Sequence, residues 1–145
     1  MAQRDKAEEE LRRLSIEMRY LEQTAQTLQQ RISMVNAALT DINYANMTLD
    51  GLEKEKENSE LLVPIGGSSY VKVKLADPNK VIIGMGAGVS IEKTLPEAKT
   101  NLKERLDELE KTLQSAQQQF SQVAARINSG RSRLEKLLAA REGKP

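Results

Sequence analysis

Residues 61–93 read LLVPIGGSSYVKVKLADPNKVIIGMGAGVSIEK, and the short apolar runs in this stretch decide the fold of the chain. The segment 70–75 alternates between polar and apolar residues, which is typical of a half-buried β-strand. Three more apolar runs lie at 61–65, 81–83 and 89–91. Segments rich in Gly, Pro, Asp, Asn or Ser separate the four runs, at 66–69, 77–79 and 84–88. Short runs divided by tight turns predict four strands in two successive β-hairpins.

On both sides of this stretch the apolar residues change to a seven-residue repeat. They recur three and four residues apart from Leu11 to Leu49, and again from Leu102 to Leu137. This spacing keeps one seam of a helix apolar, so it predicts a coiled coil. Because a compact insert joins two arms of similar length, we expect the arms to fold back on each other. Asn46 is a polar residue in the seam, where it either fixes the register of the arms or marks the place where the seam opens.

These patterns give the fold class as α+β, a long antiparallel two-helix coiled coil joined by two β-hairpins. Thr94 and Glu97 have the spacing of a capping box, which indicates that the second helix begins there. We therefore expect an N-terminal coiled-coil helix, a β-hairpin oligomerisation region and a C-terminal coiled-coil helix, at 1–57, 58–93 and 94–145.

Composition argues against several classes of function. The 145 residues include no Cys and no His, which removes thiolate chemistry, the commonest general base and the commonest transition-metal ligand. The glycine-rich segment 84–88 leads into a strand rather than a helix, so it is read as a turn and not as a phosphate-binding loop. The carboxylates lie among Lys and Arg on open helix surfaces, where no desolvated pocket separates their pKa values. We expect no enzyme activity, no catalytic residue, no cofactor and no metal.

The charge of the whole chain is nearly balanced, at a net +1 at neutral pH. Residues 1–57 carry eight basic and eleven acidic side chains, whereas residues 94–145 carry ten basic and seven acidic ones. These opposite balances either favour pairing of the two arms or belong to independently solvated surfaces. No apolar run approaches the ~18 residues of a membrane span. We expect a soluble, cytoplasmic protein that binds neither membrane nor nucleic acid.

The predicted strands need a partner. A four-stranded sheet of about 25 residues has two open edges and one apolar face, and the paired arms have no apolar face left to cover it. Several copies joined edge to edge and face to face would close a β-barrel hub, which makes the chain one subunit of an oligomer. The residues expected at this assembly surface are Val71, Val73, Leu75, Val81, Ile82, Ile83, Val89 and Ile91.

The segments LLVPIGGSSYVKV at 61–73 and VIIGMGAGVSIEK at 81–93 resemble prefoldin. Two hairpins between the arms match the α type, and archaeal α subunits above all, whereas the β type has a single hairpin. The resemblance implies a hexamer of two α and four β subunits whose hairpins form the hub. It also implies an ATP-independent chaperone that catches unfolded proteins at the coiled-coil tips and passes them to a group II chaperonin.

The expected client-binding site lies where the two chain ends meet. Ile16, Tyr20 and Leu138 fall outside the heptad seam. Gly130, at a seam position, leaves the seam underfilled opposite residues 14–18. A loosened tip of this kind offers an adaptable apolar surface, although its seam residues complete the core when the hairpin is closed. The candidate residues are Leu11, Leu14, Ile16, Met18, Tyr20, Leu134, Leu137 and Leu138. The tip is also rich in Arg and Lys, which either dock onto an acidic chaperonin surface or maintain solubility.

Two other functions are compatible with these patterns. The first is a static coiled-coil scaffold that tethers partners through its tips and has no chaperone activity. The second is a coiled-coil arm that binds nucleic acid, such as those that clamp tRNA, which salt-sensitive RNA binding would support. The basic residues are too thinly spread to favour the second.

Overall fold

The computed structural model describes residues 2–143. Its elements in chain order are α1 (Ala2–Glu53), β1 (Glu60–Gly66), β2 (Ser69–Lys74), β3 (Lys80–Gly86), β4 (Val89–Thr94) and α2 (Leu95–Arg141). The chain divides into two compact units. The coiled-coil unit consists of the described residues up to 37 and from 111 onward, and the hairpin unit consists of residues 38–110.

In the coiled-coil unit, α1 and α2 run antiparallel with their apolar seams facing each other. Glu10 accepts a hydrogen bond from Arg133 at 2.9 Å, and Glu17 accepts one from Arg126 at 3.0 Å. One heptad forward on α1 is therefore matched by one heptad backward on α2, which confirms the predicted antiparallel pairing in this unit. All four residues flank the seam, where charge pairs select orientation and register. The buried seam residues of the unit are Met18, Leu21, Leu28, Ile32, Val35 and Ala116.

The seam next to Gly130 is filled, and the prediction that it is underfilled was wrong. A Cβ built on Gly130 would overlap the Sδ atom of Met18 and lie 3.5 Å from its Cγ atom. The buried Met18 side chain therefore lies directly on the α2 backbone, in space that only a glycine leaves open. An unbranched thioether side chain suits this position because it adapts to irregular gaps.

The contact between Met18 and Gly130 predicts that substitutions at the two positions are coupled. Met18→Ala is expected to cost about 2–3 kcal/mol of unfolding free energy, because it removes a buried side chain and leaves a cavity. Adding Gly130→Ala to this variant should recover about 1 kcal/mol, the difference in helix propensity between the two residues. In the parent chain Gly130→Ala should gain less, since Met18 must move. Urea unfolding followed by circular dichroism measures the cycle, and equal gains in both backgrounds would contradict the contact.

The hairpin unit has a core of its own, formed by both helices and one hairpin. Its buried residues are Leu49, Ile83, Leu95, Ala98 and Leu102, with Ile42, Ala45, Leu52 and Val81 packed around them. Lys99 of α2 forms ion pairs with Asp50, at 3.0 Å, and with Glu53 of α1. The hydrogen bonds that Lys99 donates to Glu53 and Asp50 raise its pKa, because they stabilise the charged ammonium. The capping box is confirmed, since the backbone N–H of Glu97 donates to Thr94 Oγ1 and that of Thr94 donates to Glu97 Oε2, each at 3.4 Å.

The predicted hairpins are confirmed, but the expected four-stranded sheet was wrong. The structure has two separate two-stranded antiparallel sheets, β1–β2 and β3–β4. The reason lies in the connection between β2 and β3. The N–H of Leu75 donates back to Ser59, while the carbonyl of Asn79 accepts from Leu95. Leu75 therefore bonds to the residue that precedes β1, and Asn79 bonds to the residue that follows β4. Because these backbone groups do not bond to each other, residues 75–79 do not form a third hairpin turn.

Both hairpins close with the same backbone geometry, twenty residues apart. Gly66 and Gly86 have positive φ angles of 100° and 96°, beside a register shift in each ladder. The next residue pairs, 67–68 and 87–88, also have positive φ angles, as type I′ turns require. The predicted turn at 84–88 is therefore too long. β3 continues through a bulge to Gly86, because a bulge absorbs the extra residue without ending the strand.

Candidate interaction surfaces

The tip of the coiled-coil unit, defined as residues 2–22 and 126–143, carries large apolar side chains that face away from the seam. Ile16 is 64% exposed and Tyr20 is 67% exposed, and Leu138 on α2 is also exposed. Ile16 and Tyr20 are four residues apart on α1, so they lie on the same face of the helix. Ile16 and Tyr20 therefore form an apolar patch at the tip that is exposed even when the seam is closed.

The other candidate tip residues belong to the seam. Leu11, Leu14, Leu134 and Leu137 are half-buried between the helices. Met18 is buried against Gly130 in the closed hairpin, so it would join a client-binding surface only when the seam loosens, and that role stays a prediction. The physical reason for its burial is that the glycine makes room for the methionine rather than leaving a gap.

Charge at the tip is partly paired across the helices. Arg126 and Arg133 of α2 are engaged by Glu17 and Glu10 of α1. The hydrogen bond from Arg133 lowers the pKa of Glu10, because it stabilises the charged carboxylate. These pairs are exposed, so they contribute little stability and act mainly on pairing and register. Some of the acidic residues of the first arm are therefore in direct contact with basic residues of the second arm.

A cleft of about 500 Å³ lies between the start of α1 and the end of α2. Ala7 and Leu11 line it from α1, and Leu137 and Ala140 line it from α2. Polar residues complete the lining, namely Gln3, Arg4, Glu8, Arg141 and the backbone at Gly143. The result is a depression with small apolar residues at its floor and two guanidinium groups among its walls.

The first hairpin, β1–β2, has one continuous apolar face. Val63 pairs with Val71, and Leu61 pairs with Val73, so the four side chains share that face. Val63 and Val71 are exposed, and Leu61 and Val73 are half-buried. The side chains of β2 alternate between the two faces as predicted. The apolar face is not covered by other residues of this chain, however, as the prediction of a half-buried strand implied. An exposed apolar face on a two-stranded sheet is unstable alone and is typical of a protein interface.

The second hairpin, β3–β4, turns one face toward the helices of its own unit. Ile83 is 7% exposed and Val81 packs around the same core, so both were wrongly assigned to an assembly surface. Their side chains share one face because they are two residues apart on a strand. Ile82, between them, faces the other way and is 74% exposed. Val89 and Ile91 of β4 are also exposed.

Arg105 of α2 was missed by the sequence analysis. Its Nη2 atom donates to the carbonyl oxygen of Gly84 at 2.6 Å and lies 3.5 Å from Sδ of Met85. Gly84 and Met85 are at the bulge of β3, so this side chain ties the second hairpin to α2. No sequence motif marks such a contact between residues 21 positions apart. The exposed Leu62, Ile65 and Tyr70 of the first hairpin were also missed, although alternation within the apolar run could have indicated them.

Among residues 2–143 there is no group of three or more His, Cys, Asp or Glu side chains placed to hold a metal ion. No helix within the described part of the chain is long and apolar enough to cross a membrane.

An antiparallel two-helix coiled coil, together with two β-hairpins that each keep exposed apolar side chains, defines a class of assembling coiled-coil subunit. Comparison with known proteins identifies the family within this class. The family model described as prefoldin subunit matches residues 21–140. The prefoldin subunit alpha of Pyrococcus horikoshii is 34% identical over 128 residues, covering 88% of this chain and 84% of that protein. The prefoldin subunit alpha of Nitrosopumilus maritimus is 31% identical and covers 92% of each. The chain belongs to the prefoldin family of chaperone subunits.

Two solved structures share the fold. A filamentous PFD from Methanocaldococcus jannaschii, solved by cryo-EM, superposes with a TM-score of 0.67 over 77% of this chain and 93% of that chain, at 22% identity. The crystal structure of the prefoldin beta subunit from Thermococcus strain KS-1 superposes with a TM-score of 0.57 over 87% and 90%, at 16% identity. These similarities confirm the predicted coiled-coil and hairpin architecture.

Proposed function

We propose that this chain is the α-type subunit of a cytoplasmic, ATP-independent holdase that captures unfolded proteins at its tips and passes them to a group II chaperonin. Membership of the prefoldin family supports the chaperone role. The observation that carries the tip assignment is the exposure of Ile16 and Tyr20 on one face of α1 and of Leu138 on α2, since positions that face away from the seam are ordinarily polar. The chain acts by binding and not by catalysis.

The proposed assembly is a hexamer of two α-type and four β-type subunits joined through the hairpins. The exposed apolar face of Leu61, Val63, Val71 and Val73 supports this role, because pairing with another subunit would remove it from water. The exposed side chains of the second hairpin are also proposed for assembly, with Ile82 on one face of the hairpin and Val89 and Ile91 on the other. Barrel closure of these hairpins remains a prediction.

Capture by several tips explains how weak sites hold an unfolded chain. Each tip patch is small, so one tip binds weakly. When several tips in one assembly contact the same client, each later contact is intramolecular and benefits from a high effective concentration. Release then requires only that a partner compete for the tips one at a time, which needs no nucleotide.

The tip assignment predicts a selective loss of activity when the patch is made polar. The triple variant Ile16→Ser, Tyr20→Ser, Leu138→Ser, assembled with a β-type subunit, is expected to require several-fold more complex to suppress aggregation of a denatured enzyme without ATP. The physical reason is the loss of apolar area that each tip can bury. Light scattering of the aggregating enzyme measures the effect.

Tyr44→Ser with Met47→Ser is the matched control, because these side chains are 66% and 68% exposed on α1 but lie in the hairpin unit. This control should retain parental activity. Equal losses in both variants would contradict a tip-specific site. Absence of suppression by the parent complex itself would favour the static scaffold.

A further inference from the structure

We propose that the cleft at the tip selects apolar client segments that are flanked by acidic residues or end in a carboxylate. This inference rests on the proposed holdase function and assigns a chemical class of client to one part of the tip. The cleft differs from the exposed patch of Ile16 and Tyr20, because it is concave and lies between the two helix ends.

The floor of the cleft fits a side chain of moderate size. Ala7 and Ala140 are small residues on facing helices, and the half-buried Leu11 and Leu137 lie beside them in the seam. Small side chains on both helices leave space that larger ones would fill. A cleft of about 500 Å³ is large enough to receive one or two aliphatic side chains of an extended segment.

The walls of the cleft favour negative charge. Arg4 and Arg141 both line it, and neither forms an ion pair with a carboxylate of residues 2–143. Arg126 and Arg133, further along α2, are by contrast each paired with a glutamate of α1. Glu8 is the one acidic residue in the described lining, so the cleft has an excess of one positive charge. Guanidinium groups bind carboxylates with two parallel hydrogen bonds, which suits an acidic side chain or a chain terminus.

Charge complementarity therefore identifies the occupant as an apolar segment with adjacent carboxylates. A segment flanked by Lys would place like charges beside Arg4 and Arg141, and a neutral segment would gain only from the apolar floor. Exposed ion pairs are individually weak, so the discrimination expected from two guanidinium groups is about fivefold and not orders of magnitude.

The test uses the assembled complex and three fluorescent decapeptides of Gly and Ser that contain two adjacent leucines and are amidated at the C-terminus, so that they differ in side-chain charge alone. The peptides differ in the two residues that follow the leucines, which are Asp, Asn or Lys. In fluorescence anisotropy at low salt, the Asp peptide should bind about fivefold more tightly than the Lys peptide, with the Asn peptide between them. The ratio should fall toward one at high ionic strength, because the charges are exposed.

Matched variants locate the effect. Arg4→Gln with Arg141→Gln should bring the Asp-to-Lys ratio to one or below, because Glu8 then remains as the charged residue of the described lining, and should leave the Asn peptide unchanged. Arg19→Gln with Arg131→Gln removes the same charge from tip arginines that do not line the cleft, and should preserve the ratio. Ala7→Trp, which fills the cleft, should weaken all three peptides.

Four outcomes are decisive. Discrimination that both arginine pairs reduce equally would show a general field of the tip and overturn the cleft assignment. Equal binding of the three peptides, with aggregation suppression intact, would overturn the inference and leave the proposed function standing. Concentration-dependent self-association that Ala7→Trp abolishes would assign the cleft to a second copy of the chain, which also overturns the inference. Failure of every peptide to bind, together with absence of suppression, would overturn the proposed function itself.

Discussion

Val71→Asp is expected to abolish assembly with a β-type subunit at micromolar concentration. Val71 is exposed on the apolar face of the first hairpin, opposite Val63. If this face is covered on assembly, the substitution buries an unpaired carboxylate. Such a charge costs about 3–5 kcal/mol, which corresponds to a loss of at least about 100-fold in affinity. Native mass spectrometry of the mixed subunits measures the loss.

Lys72→Gln is the control for this prediction. It lies on the same strand, faces the opposite side of the hairpin, and changes the net charge by the same amount. Its assembly should be close to parental. Circular dichroism of each isolated variant should show unchanged helix content, because neither residue belongs to the helical cores. If Val71→Asp assembled as well as Lys72→Gln, the first hairpin would not be an assembly surface.

Ile83→Ala is expected to destabilise the hairpin unit by about 2–5 kcal/mol. The side chain of Ile83 is buried against Leu49, Leu95 and Leu102, and its removal leaves a cavity among them. Because the second hairpin contributes this side chain to the core, its loss should also loosen the hairpin from the helices. Urea unfolding of the isolated chain, followed by circular dichroism at fixed protein concentration, measures the change.

Ile82→Ala provides the comparison within the same strand. It deletes the same atoms and changes strand propensity equally, but its side chain is exposed in the isolated chain. The expected cost is within about 0.5 kcal/mol, as for most surface substitutions. The difference between the two variants therefore reports burial alone. Equal costs would mean that the second hairpin does not pack on the helices as described.

The elements that the sequence predicted well are those with a clear period. A seam with a seven-residue repeat and strands with a two-residue alternation are local properties, and they define helices and hairpins without knowledge of distant contacts. The capping box at Thr94 is local too, and it correctly predicted the start of α2. The glycine-rich segment 84–88 was harder, because turns and bulges both use glycine.

The errors occurred where a side chain meets a partner far along the chain. Ile82 and Ile83 are chemically identical and adjacent, so composition could not show which one packs on the helices. Gly130 suggested a gap in the seam, whereas the structure fills that space with Met18. No sequence pattern marked Arg105, although its side chain joins α2 to the bulge of β3. Each of these depends on how surfaces fit together.

The sequence by itself determined the two long helices, the two hairpins, the antiparallel pairing of the arms and the resemblance to prefoldin, because periodicity and turn chemistry are written within short segments. Only the tertiary structure decided that the hairpins form separate sheets, and that one packs on the helices while the other keeps an exposed apolar face. It also decided how the tip is arranged, with a filled seam and a cleft between the helix ends. These features depend on tertiary packing, because a residue is buried only where two surfaces meet. The same type of residue can lie in the core or on the surface, and its type alone does not show which.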